Sequence, residues 1–378
     1  MEIGGFFEYP KFDHISEDDS VFKQLKMGSG NFQLVRDGRQ AIKTALLNTK
    51  NISNLKCYLP AYLCESILQP FKELNLKVKF YGHTDVLKPE IDEIKDSVLF
   101  LIDYFGRNTL SNTEIQEFLD KNNTVILDAT HSILNPERFK ITGKNYYIVS
   151  SLRKMFPIPD GGILYGATEF NIKPAGLPVG HEKMLESMIF RRYYLDNFKF
   201  RFSDTENESV SLENTFNKTS SMDHYLKTIK NHYLSQHHEY ERKKFEDVVM
   251  PQNIPAISMH IMNNISYSKI VKKRNDNLKL FYEEICDDNK FLFEFEDIKS
   301  PFMLPLRFQT EKERNSMKDI LIKNDIYTPV LWDLDEIVPT EHSYEHELKK
   351  RIMMVPIDQR YNQDDLMVAV DLINSHGV

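Results

Sequence analysis

Cysteine is scarce in this chain of 378 residues: there are three, Cys57, Cys64 and Cys286. The number is odd and the spacing fits no metal knuckle. A disulfide framework and a cysteine zinc site are therefore excluded as organising devices, and reduced thiols in a cytoplasmic protein are expected. Long apolar runs are also missing. Val98-Leu99-Phe100-Leu101-Ile102 is among the longest, far below the ~20 residues that a bilayer span needs. The opening Met1-Glu2-Ile3-Gly4-Gly5-Phe6-Phe7-Glu8 has no basic stretch followed by an apolar one, so no secretory signal is expected. Excess positive charge is absent as well. The formal net charge is −8, which argues against nucleic acid or an anionic membrane as the main partner. Glycine patterning is thin: Gly28-Ser29-Gly30 stops short of the dinucleotide-binding fingerprint.

What is present reads as an α/β protein. Hydrophobic residues make up 41% and charged residues 28%, enough for a substantial core. Strands are expected at Lys56 to Leu59, Lys77 to Tyr81, Val98 to Tyr104, Val125 to Asp128, Tyr146 to Ser150 and Ile163 to Tyr165. Helices are expected at Arg39 to Leu47, Tyr62 to Leu74 and Thr113 to Lys121. This alternation predicts a mostly parallel central sheet covered on both faces. From residue 180 to 250 the chain turns polar, with a solvated loop expected at Asp204 to Ser209. Arg191 to Phe202 mixes aromatic and basic residues, as interfaces do. A long helix follows at Lys269 to Ile285. Phe302 to Phe308, Lys312 to Lys323, Tyr327 to Trp332, Ile352 to Pro356 and Gln363 to Ile373 then read as β-α-β-β-α. We expect a large domain over 1–250, including the polar insertion, and a smaller C-terminal α+β domain over 251–378.

The chemistry gathers around Lys154. It lies in Ser150-Ser151-Leu152-Arg153-Lys154, six residues before Asp160-Gly161-Gly162. Upstream, Asp128-Ala129-Thr130-His131 ends a strand. An acid after one strand and a lysine after the next suggest a pyridoxal phosphate (PLP) site. That cofactor needs an amine for its aldehyde and a carboxylate for its ring nitrogen. Ligands of open parallel sheets sit beyond the carboxyl ends of the strands, where Asp103, Asp128, Lys154 and the Gly38 loop all fall. Asp37-Gly38-Arg39-Gln40 opens a helix and offers backbone amides to a phosphate; an ordinary N-cap by Asp37 is the other reading. Arg153 suits a phosphate, a substrate carboxylate or a structural ion pair. Trp332 suits either the substrate mouth or an anchor of the small domain. His342-Ser343-Tyr344-Glu345-His346 matches an inverted zinc-protease pattern, but no third ligand follows, and no metal is expected.

These motifs, in this order, resemble the DegT/DnrJ/EryC1/StrS family of PLP-dependent sugar aminotransferases. Gly38-Arg39-Gln40-Ala41 is similar to its phosphate loop, and Leu59-Pro60-Ala61-Tyr62 to the segment beside the ring. Asp103-Tyr104-Phe105-Gly106 is similar to its HxYG strand end, with Asp in place of His. Asp128-Ala129-Thr130-His131 is similar to its DAAH/Q motif, and Lys154 to its lysine before Glu-Gly-Gly. Met354-Val355-Pro356-Ile357 and Asp364-Asp365-Leu366 resemble its tail. The resemblance implies the type I PLP-dependent aminotransferase fold and a homodimer with sites at the subunit boundary. It implies catalysis by Lys154 and Asp128. The cofactor would be held by Gly38, Arg39, Gln40, Tyr62, Asp128, His131, Ser151 and Lys154, and the substrate met by Arg153 and Trp332. Ser150 competes with Ser151 for the phosphate. Tyr62 is taken as the residue stacking on the ring, because Cys64 stands where the family often has Trp or Phe. The expected reaction moves an amino group from an amino-acid donor to a keto-sugar, nucleotide-linked, in amino-sugar or surface polysaccharide biosynthesis. PLP chemistry on another carbonyl substrate, or a catalytically silent binding protein of the same fold, are the alternatives.

Overall fold

The computed structural model describes residues 2–12, 14–27, 30–91, 93–141, 143–203, 212–246 and 250–376, without the side chains of 199–203, 212–222 and 244–246. In chain order these residues form α1 (Val21–Lys26), β1 (Asn31–Val35), α2 (Gly38–Asn48), β2 (Lys56–Pro60), α3 (Leu68–Glu73), β3 (Lys77–Tyr81), β4 (Val98–Ile102), α4 (Asn112–Asp120), β5 (Thr124–Asp128), β6 (Tyr146–Ser151) and β7 (Gly162–Gly166). Then come α5 (His181–Ser203), α6 (Leu212–Glu246), α7 (Ala256–Asn263), α8 (Tyr267–Glu284), β8 (Leu304–Arg307), α9 (Glu311–Lys323), α10 (Ser343–Arg351), β9 (Ile352–Val355) and α11 (Gln363–His376).

The seven-stranded sheet runs β1-β7-β6-β5-β4-β2-β3. The five strands from β6 to β3 are parallel; β7 is antiparallel to both its neighbours. Strand residues alternate between two cores. Phe100, Ile126 and Val149 face one, while Leu99, Leu101, Val125, Leu127 and Ile148 face the other. That is why β4 and β5 read as unbroken apolar runs: both faces are covered. The register pairs Ile102 with Asp128, Asp128 with Val149 and Ser151 with Gly162, so the carboxyl ends of β4, β5 and β6 meet at one edge. The α/β class and mostly parallel sheet are as the sequence predicts, and the architecture is the type I fold.

Two local expectations fail for identifiable reasons. The chain through Tyr62, Leu63 and Cys64 is irregular, and helix begins only with a tight turn at Glu65 before α3. Tyr327 to Trp332 forms no strand. Its backbone ties are single bonds, Tyr327 N–H to Ile3 O and Met354 N–H to the Pro329 carbonyl, and Pro329 has no N–H with which to extend a ladder. β1 was not foreseen, being a five-residue edge strand with weak alternation. Within the polar segment the described residues form two long helices, α5 and α6; the loop expected at Asp204 to Ser209 lies outside the described residues. Within this pair Tyr194 packs with Leu226, Ile229 and Tyr233, so burial inside one chain accounts for part of the aromatic stretch.

The C-terminal part holds a small antiparallel pair, β8-β9. Packing crosses the expected boundary at 250, because Ile261, Met262, Ile265 and Ile270 join the core on one face of the large sheet. The His342-Glu345-His346 motif is structural. Glu345 is buried and accepts from the His83 backbone N–H at 2.7 Å, with His83 Nδ1 also at 2.7 Å. Among the described residues no group of His, Cys, Asp or Glu could hold a metal.

Candidate active site

A cavity of about 180 Å³ opens at the carboxyl edge of the sheet. Its walls include Gly38 and Arg39 from α2, Asp128, Thr130 and His131 after β5, and Ser150, Ser151, Arg153 and Lys154 at and after β6, with Cys64, Glu241 and Trp332. The turn after β6 projects Lys154 into it, since Leu152–Lys154 form one tight helical turn at the strand end. Its Nζ lies 5.8 Å from the centre of the Phe302 ring. No acid forms an ion pair with it among the described residues. Asp128 accepts the Thr130 N–H at 2.9 Å. Burial raises its pKa, while Thr130 and the Lys154 charge pull the other way.

His131 lies in an aromatic stack. Its ring is 4.5 Å from Phe302 at 10° and 5.9 Å from Trp332 at 16°. Burial, with the Lys154 charge, holds its pKa well below the usual histidine value, so the ring is neutral near pH 7. Nδ1 accepts the Phe105 N–H at 3.4 Å. The proton of the neutral ring is therefore on Nε2.

The phosphate expectation at α2 meets a competitor. Asp37 Oδ1 already accepts the Arg39 and Gln40 amides at 3.0 and 3.2 Å, so the N-cap reading describes these two groups. Gln40 does not line the cavity. Its side-chain oxygen accepts the Arg36 and Gln252 backbone amides, so its side chain is committed away from the cavity. The Arg39 guanidinium bonds Asp37 at 2.9 Å and Gln69 at 2.7 Å. Gly38 packs closely enough that a Cβ there would lie 3.1 Å from Ser151 Cβ. Ser150 carries the stronger signal of the two serines: it is fully buried, lines the cavity, and its Oγ has no partner. A buried hydroxyl without a partner costs ~1–3 kcal/mol, which an oxyanion ligand would offset. Ser151 also lines the wall; its N–H donates to Thr130 Oγ1 at 3.0 Å.

Two placements differ from expectation. Tyr62 does not line the cavity; it is buried behind Trp332, ring centroids 5.2 Å apart, with its hydroxyl donating to the Leu331 carbonyl. Cys64, set aside in its favour, is at the wall, with Sγ 3.1 Å from Ser66 Oγ. Asp103 lies away from the cavity, held by Arg138 at 2.6 and 2.7 Å. The sequence reading did not select Thr130 or Glu241 as site residues. Thr130 sits inside the motif that named Asp128 and His131, so its spacing was a usable signal. Glu241 comes from a polar helix far along the chain and carried none.

The sequence matches no protein-family model and no curated protein. Solved structures do share its shape. The sugar aminotransferase CalS13 from Micromonospora echinospora is 12% identical, with 91% of this chain and 87% of that one covered and a TM-score of 0.56. A DegT DnrJ EryC1 StrS aminotransferase from Brucella abortus is 11% identical over 97% and 92%, with a TM-score of 0.60. Helicobacter pylori PseC, an aminotransferase involved in the biosynthesis of pseudoaminic acid, is 11% identical over 100% and 99%, with a TM-score of 0.59. Over its whole length, the chain has the fold of the DegT/DnrJ/EryC1/StrS-type aminotransferases.

Proposed function

We propose that this chain is a PLP-dependent aminotransferase that moves an amino group from an amino-acid donor to a keto-sugar, nucleotide-linked, in amino-sugar or surface polysaccharide biosynthesis. The observation that carries the reading is one cavity, at the strand ends, that brings Lys154 and Asp128 together. Three features of the cavity suit the cofactor. The ionised Asp128 is disfavoured by burial and gains from a cationic ring nitrogen beside it. The Ser150 hydroxyl lacks an acceptor or donor. Lys154 reaches the cavity and forms no ion pair among the described residues. The sugar is suggested by the structural relatives CalS13 and PseC. We further propose cytoplasmic homodimers, with 1–250 as the cofactor-binding part and 251–378 closing over it.

Bound here, PLP would supply an aldehyde to carry the amino group and a ring to take up electrons. Lys154 would hold the aldehyde carbon and, when freed by the donor amine, carry the proton between donor and acceptor carbons. Asp128 would keep the ring nitrogen protonated. Ser150, Ser151 and Gly38 would meet the phosphate, with Arg39 and Arg153 supplying positive charge nearby. His131 and Trp332 would flank the ring and the substrate. A second reading, a binding protein of the same fold, draws on one observation: Asp37 already occupies two helix amides. Borohydride reduction of the protein with added PLP, followed by peptide mass mapping, separates the two. We expect a pyridoxyl group on Lys154. A label on another lysine, or none, sinks the assignment.

A further inference from the structure

We infer that Glu241 sets the affinity of this cavity for anionic ligands: its carboxylate holds Arg153 where a ligand oxyanion binds, and an incoming phosphate or carboxylate displaces it. The two form an ion pair, Arg153 to Glu241 Oε1 at 2.9 Å, in which that oxygen accepts no hydrogen bond, and both residues line the cavity. Of the three cavity cations, Arg39 is committed to Asp37 and Gln69. Lys154 is the amine the proposed chemistry needs. Arg153 is the remaining seat for an oxyanion.

The two partners are not equally buried. The Arg153 side chain is 17% exposed and that of Glu241 30%. Arg153 also lies over the Tyr240 ring, at 5.8 Å. A recessed guanidinium left alone is costly, so it needs an anion at all times. The glutamate is the more exposed side chain of the two, although the oxygen that meets Arg153 is itself shielded from water, so it is the partner that reaches solvent at lower cost when the pair parts. Arg presents a planar fork that grips either a carboxylate or a phosphate in the same way. An exchange of one carboxylate for another oxyanion therefore keeps Arg153 paired throughout. The cost of releasing Glu241 is subtracted from the affinity of every anionic ligand and of no neutral one.

The inference draws on the proposed function only for its two oxyanion sources, the cofactor phosphate and the donor carboxylate. Its test uses the full-length protein without added cofactor. Trp332, the only tryptophan, lines the cavity and reports binding by fluorescence. The titrants are inorganic phosphate, glutamate and, as the control without phosphate or carboxylate, pyridoxal. Glu241→Gln is expected to tighten phosphate, glutamate or both by about two- to fivefold, the worth of a partly exposed ion pair, and to leave pyridoxal unchanged. Tightening for phosphate alone assigns the seat to the cofactor; tightening for glutamate alone assigns it to the donor. In an Arg153→Gln background the gain should vanish, since the two residues act as one unit. Glu241→Ala, compatible with a helix, repeats the reading should the first variant fold poorly. No tightening for either anion, an equal change with pyridoxal, or a gain that persists without Arg153 overturns the inference. A failure of PLP to label Lys154 leaves the phosphate result intact, so the two proposals fail separately.

Discussion

Asp103 follows β4 and Asp128 closes the adjacent parallel strand β5, each after a run of apolar residues, and the structure gives them opposite situations. Asp103 is saturated. It accepts from Arg138 Nε and a terminal nitrogen, from the Thr109 N–H at 3.0 Å and from Ser132 Oγ at 2.9 Å. Its carboxylate and the Arg138 guanidinium are essentially solvent-free. Among the described residues Asp128 has only Thr130, through its backbone and side chain, and a nearby lysine, and faces a cavity. A buried charge with every lone pair met is structural; one left short of partners is poised for a ligand. The same substitution at the two sites should therefore separate folding from chemistry.

Asp103→Asn carries the largest expected effect on folding. Removing one member of a buried ion pair leaves a buried, unpaired guanidinium and costs ~3–5 kcal/mol. The urea midpoint should fall sharply at unchanged slope. A midpoint close to the wild type would show that water, not Asp103, satisfies Arg138. Asp128→Asn should do the reverse. Turnover is expected to drop by about 10²–10³-fold, the usual cost of one preorganised electrostatic group. Stability without ligand should hold or rise at neutral pH. The sign follows from the raised pKa of Asp128: the folded state favours the protonated acid. The wild type is therefore most stable, relative to Asn, below the unfolded-state value near 3.8, and loses that advantage as pH climbs through the folded-state value. Unfolding curves of both proteins from pH 3 to 8 check this. An Asp128→Asn protein that loses stability as Asp103→Asn does would place Asp128 among the structural acids.

The contrast also shows what the sequence disclosed. The sheet was legible because a fully buried parallel strand has a local signature, and strand ends located Asp128 and Lys154 without further knowledge. Partnership was not local. Arg138, which claims Asp103, sits 35 residues on, and Gln252, which ties up Gln40, is 212 residues away. Tyr62 was preferred because Cys64, where the resembled family often has Trp or Phe, has no ring to stack; the nearest aromatic in sequence took its place, and the irregular chain there leaves Cys64, not Tyr62, at the wall. Ser150 and Ser151 could not be ranked from spacing; the unpartnered hydroxyl ranks them.

His131 offers the smallest and finest test, because it belongs to both situations at once: it lines the cavity, yet its packing is complete. Phe302 stacks on it at 4.5 Å, and Phe105 lies 5.2 Å away at 22°. Such ring contacts are worth ~0.5–1.5 kcal/mol beyond burial, so His131→Gln should cost about 1 kcal/mol. The effect should vary with pH. Burial holds the folded-state pKa well below the ordinary histidine value of 6.5, so protonation favours the unfolded chain. This contribution is fully present above pH 6.5 and is lost as pH falls toward the folded-state value. Wild type minus His131→Gln stability should thus be largest at pH 7 to 8 and shrink on acidification, opposite in direction to the Asp128 difference. Denaturant melts at a series of pH values read both slopes on one axis. If the His131 difference grows in acid, the ring is protonated in the folded protein, and its assignment as a neutral ring with the proton on Nε2 falls.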